Sequence, residues 1–190
     1  MLGSEFESVL AGAQAGSEAA LDAIYRDLYP PVLSYLRART RRDAEDLASD
    51  VFIDVATGID RFRGDETGFR GWIFTIARRR VIDAGRRSLR RATDPVAPSD
   101  LEVHADRTDP ATEAVTHVRA EEALAAVRRL PAVQAEVVLL RVIAGLTVEE
   151  TALAMGRRPG SVRVLQHRAL RRLARILSES GPDQGEEVER

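Results

Sequence analysis

The stretch Thr147–His167, TVEETALAMGRRPGSVRVLQH, decides the fold of this chain. Thr147 and Glu150 have the spacing of a capping box, in which the hydroxyl takes an orphan amide and the carboxylate reaches back to the cap. Ala152 is small enough for a close approach of two helices. Gly156 follows four residues later, where a tight turn needs a residue free to take positive φ. Pro159 can open a second helix, because the N–H it lacks is unpaired at that position in any helix. Val162 supplies the apolar contact that pins the second helix to the first. Arg157, Arg158, Arg163, Arg168, Arg171 and Arg172 come with no acidic residue between them. A basic helix on a rigid elbow is what major-groove entry requires. The plainer alternative is a helical hairpin with a solvated arginine face.

Helical periodicity runs through the rest of the chain, and no segment alternates as a strand. Residues 1–16 are small and polar and read as a weak or frayed helix. Leu21, Ile24, Tyr25 and Leu28 form one apolar face, interrupted by Pro30–Pro31 and resumed by Val32, Tyr35 and Leu36. Ala44, Leu47, Val51, Phe52 and Val55 form a second, whose outer side carries Asp43, Glu45, Asp46, Asp50 and Asp54. The turn Arg61–Gly68 breaks the pattern. Phe69, Trp72, Ile73, Ile76 and Ala77 begin a third helix running toward Arg87. Periodicity disappears over 92–117, where Pro95, Pro98 and Pro110 mark a linker. It returns with Leu124, Val127 and Leu130, and after Pro131 resumes through Val133, Val137, Leu140 and Ile143. The second helix of the helix-turn-helix then continues to about Leu177. The tail beyond is acidic and reads as disordered. The expected architecture is all-α: two small helical domains on a flexible tether.

The net charge of −2 conceals strong local asymmetry, and all 28 basic residues are arginine. From Arg61 to Arg91 ten arginines face only Asp65, Glu66 and Asp83. Arg79, Arg80, Asp83, Arg86 and Arg87 can share a broad helical stripe. Phe62, Phe69, Trp72 and Phe74 are interleaved with this charge, a composition suited to unstacked bases. Phe69, Trp72 and Ile73 have core spacing, whereas Phe62 lies off the period and is the better candidate for contact. An acidic face bearing Asp43, Asp46 and Asp50 would repel phosphate and fits a basic protein partner. The chain has no cysteine, which excludes disulfides and thiol chemistry. The three histidines, His104, His117 and His167, are scattered. No metal spacing, phosphate loop or nucleophile–base pair is present, so neither catalysis nor a cofactor nor a small-molecule substrate is expected. No run approaches a membrane span and the first residues lack a signal pattern, so a cytoplasmic protein without membrane insertion is expected.

These motifs in this order resemble a bacterial sigma factor of the extracytoplasmic-function type, within the sigma-70 superfamily. DAEDLASDVFIDVATGIDRF (43–62) is similar to the region that binds the polymerase clamp. GFRGWIFTIARRRVIDAGRRSLRR (68–91) is similar to the segment that recognises and opens the −10 element. Residues 130–173 are similar to the region that reads the −35 element. The resemblance implies a division into an extension (1–17), a region 2 domain (18–91), a linker (92–118), a region 4 domain (119–177) and an acidic tail (178–190). It places Asp43, Asp46 and Asp50 against core RNA polymerase. It places Arg63, Gly64 and Asp65 in the loop that captures a flipped base, Arg61 and Phe62 at the same −10 DNA, and Arg79, Arg80, Asp83, Arg86 and Arg87 on the helix facing the promoter. Arg157, Arg158, Ser161, Arg163, Val164, Gln166, His167 and Arg168 fall at the −35 DNA. Leu165–Gln166 departs from the family, where a basic residue precedes an aliphatic one; Leu165 is therefore expected inside and Gln166 toward DNA. Core polymerase, promoter DNA and an anti-sigma factor are the implied partners. A helix-turn-helix regulator acting without polymerase is the competing reading, but it leaves 43–91 unexplained; a recombinase would need strands.

Overall fold

The computed structural model describes residues 2–40, 44–92 and 123–180, and every regular element among them is helical. Asp43, the linker from 93 onward and the tail from 181 lie outside the described residues. A 3₁₀ turn, Gly3–Glu5, leads into α1 (Phe6–Gln14), followed by α2 (Glu18–Arg39), α3 (Ala44–Gly58) and α4 (Glu66–Ala92). The second half holds a helical stretch, α5, at 123–128. It continues with α6 (Ala132–Val138), a π turn at Leu139–Ile143, α7 (Val148–Met155) and α8 (Pro159–Ser180).

Two elements depart from the sequence reading. The helix α2 runs through Pro30 and Pro31 without a break. Neither proline is buried, while Ile24, Leu28, Val32, Tyr35 and Leu36 line the opposite, fully buried face. Burial of that stripe offsets the two missing donors. The helix α1 is anchored rather than frayed. Phe6 and Ala13 are buried, and the Phe6 ring packs on Phe69 at 5.6 Å.

The two halves pack on one another, and one hydrophobic cluster runs from Phe6 through Ile73 and Phe74 to Leu140, Leu146 and Ile176. The helix α7 lies across α4 at Gly71. A Cβ there would stand 2.7 Å from Leu153 Cβ and 3.3 Å from the Glu150 carbonyl, so only glycine permits this approach. Beside the contact, buried Arg70 lies 2.9 Å from buried Glu150 and 3.8 Å from Asp27. At the other end Glu136 of α6 accepts a 2.6 Å hydrogen bond from the Tyr35 hydroxyl. Arg39 and Arg78 flank the same carboxylate at 3.4 and 3.5 Å. Buried charges need such compensation, so the interface is specific in register. Burial pushes the Tyr35 hydroxyl well above its ordinary range, and the neighbouring Glu136 carboxylate adds to the effect.

Candidate nucleic-acid interfaces

The helix-turn-helix is built as its sequence chemistry dictates. Thr147 Oγ1 accepts from the Glu150 amide at 3.1 Å, and Glu150 Oε2 accepts from the Thr147 amide at 2.6 Å. Gly156 ends α7 in the left-handed conformation, φ 61° and ψ 41°. The Arg157 amide donates to the Ala152 carbonyl at 2.9 Å, closing the turn. Val162 is fully buried with Val137 and Ala152, and Leu165 packs against this cluster. The second helix is thereby fixed relative to the first.

The outer face of α8 exposes Ser161, Arg163, Val164, His167 and Arg168, with Arg157 and Arg158 exposed in the turn before it. Arg163 meets Glu149 at 3.1 Å, but both side chains are more than half exposed and the pair can exchange for a DNA contact. Gln166 does not turn outward. It is half-buried and its amide oxygen accepts from Arg141 Nε at 3.1 Å, while Arg141 Nη1 donates to the Leu146 carbonyl. Gln166 thus braces the loop entering the helix-turn-helix. A surface cleft of about 350 Å³ further along α8 is lined by Gln134, Arg168, Arg171, Arg172 and Arg175.

The second basic surface comprises the outer side of α4 and the preceding loop. Arg79, Arg86 and Arg87 are exposed, and Asp83 is paired with Arg86 at 3.6 Å. Arg80 is held differently. It grips Asp54 of α3 through two hydrogen bonds of 2.8 and 2.5 Å and lies 3.8 Å from Asp50. The Asp54 hydrogen bond raises the Arg80 guanidinium above its ordinary range. With two carboxylates on it, this arginine ties α4 to α3 rather than standing free for phosphate.

In the loop, Arg61, Arg63, Gly64 and Asp65 are exposed. Asp65 Oδ1 accepts from the Gly68 amide at 2.8 Å and so caps α4. Arg63 Nη1 donates to the carbonyls of Asp60 and Phe62 at 2.8 and 2.6 Å. The Phe62 ring turns inward, 5.1 Å from Phe69 and 5.4 Å from Trp72. Its position off the helical period reflects a loop backbone, while its side chain completes an aromatic cluster. On α3, Asp46 is exposed, Asp50 half-buried, and Glu45 pairs with Arg37 at 2.7 Å. That Arg37 hydrogen bond lowers the Glu45 carboxyl below its ordinary range.

Sequence reasoning missed Gln14, Glu136 and Arg141, and it placed Asp54 and Arg70 only within charged runs, without the partners they hold. Each acts through a partner distant in sequence, and no local pattern marks it. Among the described residues no cluster of acidic and histidine side chains is arranged for a metal, and no helix is long and apolar enough to cross a membrane.

The fold and its surfaces define a helical protein with a helix-turn-helix domain packed on a second basic, aromatic-lined domain. The Sigma-70 region 2 profile matches residues 24–91 and the Sigma-70 region 4 profile matches residues 120–173. The extracytoplasmic-function RNA polymerase sigma factor SigD of Mycobacterium tuberculosis is 36% identical over 181 residues, covering 91% of this chain and 84% of that protein. ShbA, a sigma factor of the same type from Streptomyces griseus, is 36% identical over 176 residues, covering 88% and 92%. In structure the chain is similar to CnrH, solved with the cytosolic domain of CnrY, at TM-score 0.64 and 20% identity over 90% of this chain and 96% of that one. It is also similar to RpoE of Bartonella quintana, solved with the anti-sigma factor NepR, at TM-score 0.65 and 22% identity over 83% and 96%. The chain belongs to the extracytoplasmic-function group of sigma-70 family RNA polymerase sigma factors.

Proposed function

We propose that this sigma factor directs core RNA polymerase to promoters through the outer face of α8 at the −35 element and through the 61–65 loop with the exposed side of α4 at the −10 element. The observation that carries this is the recognition helix: a doubly capped elbow with a buried Val162 presents Arg163, His167 and Arg168 on one uncovered face. Such a helix reads base edges in the major groove, with its remaining arginines on phosphates. At −10 the duplex must open, and bases held outside the stack offset the cost of unpairing. Each surface alone is modest; joined in one chain, binding at one raises the local concentration of the other. The chain contributes specificity and the polymerase the chemistry, in the cytoplasm. Asp46 and the exposed part of Asp50 face the basic clamp surface. Family membership supports control by an anti-sigma factor.

Run-off transcription with purified core enzyme and a randomised promoter library tests the reading. Enrichment of two base clusters, at −35 and −10, is expected. Absence of stimulated initiation, together with failure to co-purify with core enzyme, would refute it.

A further inference from the structure

The inner side of the base-capture loop is held by a residue outside both matched regions. Gln14, the last residue of α1, directs its side-chain amide at two carbonyls, Ile59 at 2.9 Å and Phe62 at 3.0 Å. These carbonyls bracket the 3₁₀ turn Ile59–Arg61, which has its own bond from the Phe62 amide to the Ile59 carbonyl at 3.1 Å. Both donors of the Gln14 amide are therefore spent on one short turn. The same N-terminal segment clasps the far end of the loop. The amides of Leu2 and Gly3 donate to the Glu66 carboxylate at 2.8 and 3.1 Å, and Phe6 packs on Phe69 with tilted rings.

The loop's other brace is conditional. Arg63 also bonds the Phe62 carbonyl, together with that of Asp60, but Arg63 is an exposed cation. An arginine that swings out to nucleic acid must release both carbonyls. Gln14 stays in place when it does, because a neutral amide facing inward has no attraction to phosphate. We propose that Gln14 is a positioning residue for −10 opening: it keeps the 59–62 turn, and with it the exposed Arg63–Asp65 edge, in its base-accepting shape while Arg63 is engaged by DNA. This rests on the promoter-opening role proposed above.

Gln14→Met keeps the length of the side chain and removes both donors, whereas Gln14→Lys keeps donors that can reach the same carbonyls. In the full-length protein, amide exchange at Phe62 should accelerate in Gln14→Met and be restored toward wild type in Gln14→Lys. With core enzyme, the yield of open complexes on a fork-sensitive promoter should fall about tenfold in Gln14→Met, the scale of two lost neutral hydrogen bonds. Discrimination among non-template base variants at −10 should flatten, while core affinity and isolated −35 binding stay within twofold. Unchanged exchange at Phe62, unchanged −10 discrimination, or a parallel loss of core binding would overturn the proposal. A wild-type protein that opens no promoter would instead overturn the functional reading on which it rests.

Discussion

Gly71→Ala sets two consequences of one methyl group against each other. Inside α4, alanine is the better helix residue by about 0.8–1 kcal/mol, so the helix itself gains. At the contact with α7 the new Cβ would lie 2.7 Å from Leu153 Cβ, against a normal carbon–carbon separation of about 3.5–4.0 Å. The second close neighbour, 3.3 Å away, is the Glu150 carbonyl, which is backbone and cannot rotate aside. Overpacking of this kind costs about 1–3 kcal/mol. The helix α7 belongs to the other half of the molecule, so the strain is relieved by separating the halves. Separation also lengthens the 2.9 Å contact between Arg70 and Glu150, two groups that are 6% and 2% exposed. The docking equilibrium should therefore shift about 5- to 150-fold toward the open form.

The chain's lack of cysteine makes the assay direct. Cysteines replacing Ser49 and Ser178, both exposed and on opposite halves, can carry a donor and an acceptor dye. Energy transfer should fall in Gly71→Ala, while Trp72, the single tryptophan and in the first half, reports whether that half remains folded. Unchanged transfer in a folded Gly71→Ala protein would refute the reasoning. So would loss of the Trp72 signal at unchanged transfer.

Three other expectations follow from the same geometry. Asp46→Arg should weaken core polymerase binding by roughly tenfold or more through like-charge repulsion, with helical content unchanged; it is cleaner than a change at Asp50, which stands 3.8 Å from Arg80, and normal pull-down of core enzyme would show the face to be merely solvated. Arg163→Ala should relax discrimination at a single −35 base pair by about 1–3 kcal/mol, while Arg171→Ala weakens all sequences alike; equal losses on every single-base variant for Arg163→Ala would reassign it to the backbone, and specificity would then fall to His167. The buried Tyr35 hydroxyl is raised above its ordinary value of 10.0, so the unfolded chain loses that proton first; its contribution to docking is fully present below pH 10 and should be lost as pH rises beyond it, and dye transfer equally pH-dependent in Tyr35→Phe would remove Tyr35 as the cause.

What the sequence made legible was the chemistry that acts over a few residues. Thr147, Glu150, Gly156 and Pro159 define the elbow within one turn of each other, and the structure places each in the expected role. The acidic outer side of α3 and the basic stripe of α4 followed from helical spacing alone. The misreadings share a different cause. Pro30–Pro31 looked like a break because propensity was weighed without the burial of the opposite face. Phe62 lies off the helical period because its backbone is a loop, and spacing could not show that its ring is half-buried against Phe69 and Trp72. Gln166 and Arg80 also have partners that no local spacing announces, Arg141 and Asp54, which lie 25 and 26 residues away. Tyr35 and Glu136 are 101 residues apart, and no pattern in either segment announces the other.

Glu150 shows why the contact between the halves left no trace of its own in the sequence. Its carboxylate is already required by the capping box, where Oε2 takes the Thr147 amide. The contact with Arg70 uses the other oxygen, Oε1, so docking exploits a lone pair that a cap leaves over. The same economy holds for Gly71, which a lone reading of α4 would treat as a weak helix position. Docking in this way also joins the halves in one hydrophobic cluster, from Phe74 to Leu140 and Leu146. It also leaves Arg163, His167 and Arg168 uncovered. The docked arrangement therefore does not act by hiding the recognition helix. What it fixes is the placement of the exposed face of α8 relative to α4, through the close approach of Gly71 to Leu153 and the contact of Arg70 with Glu150.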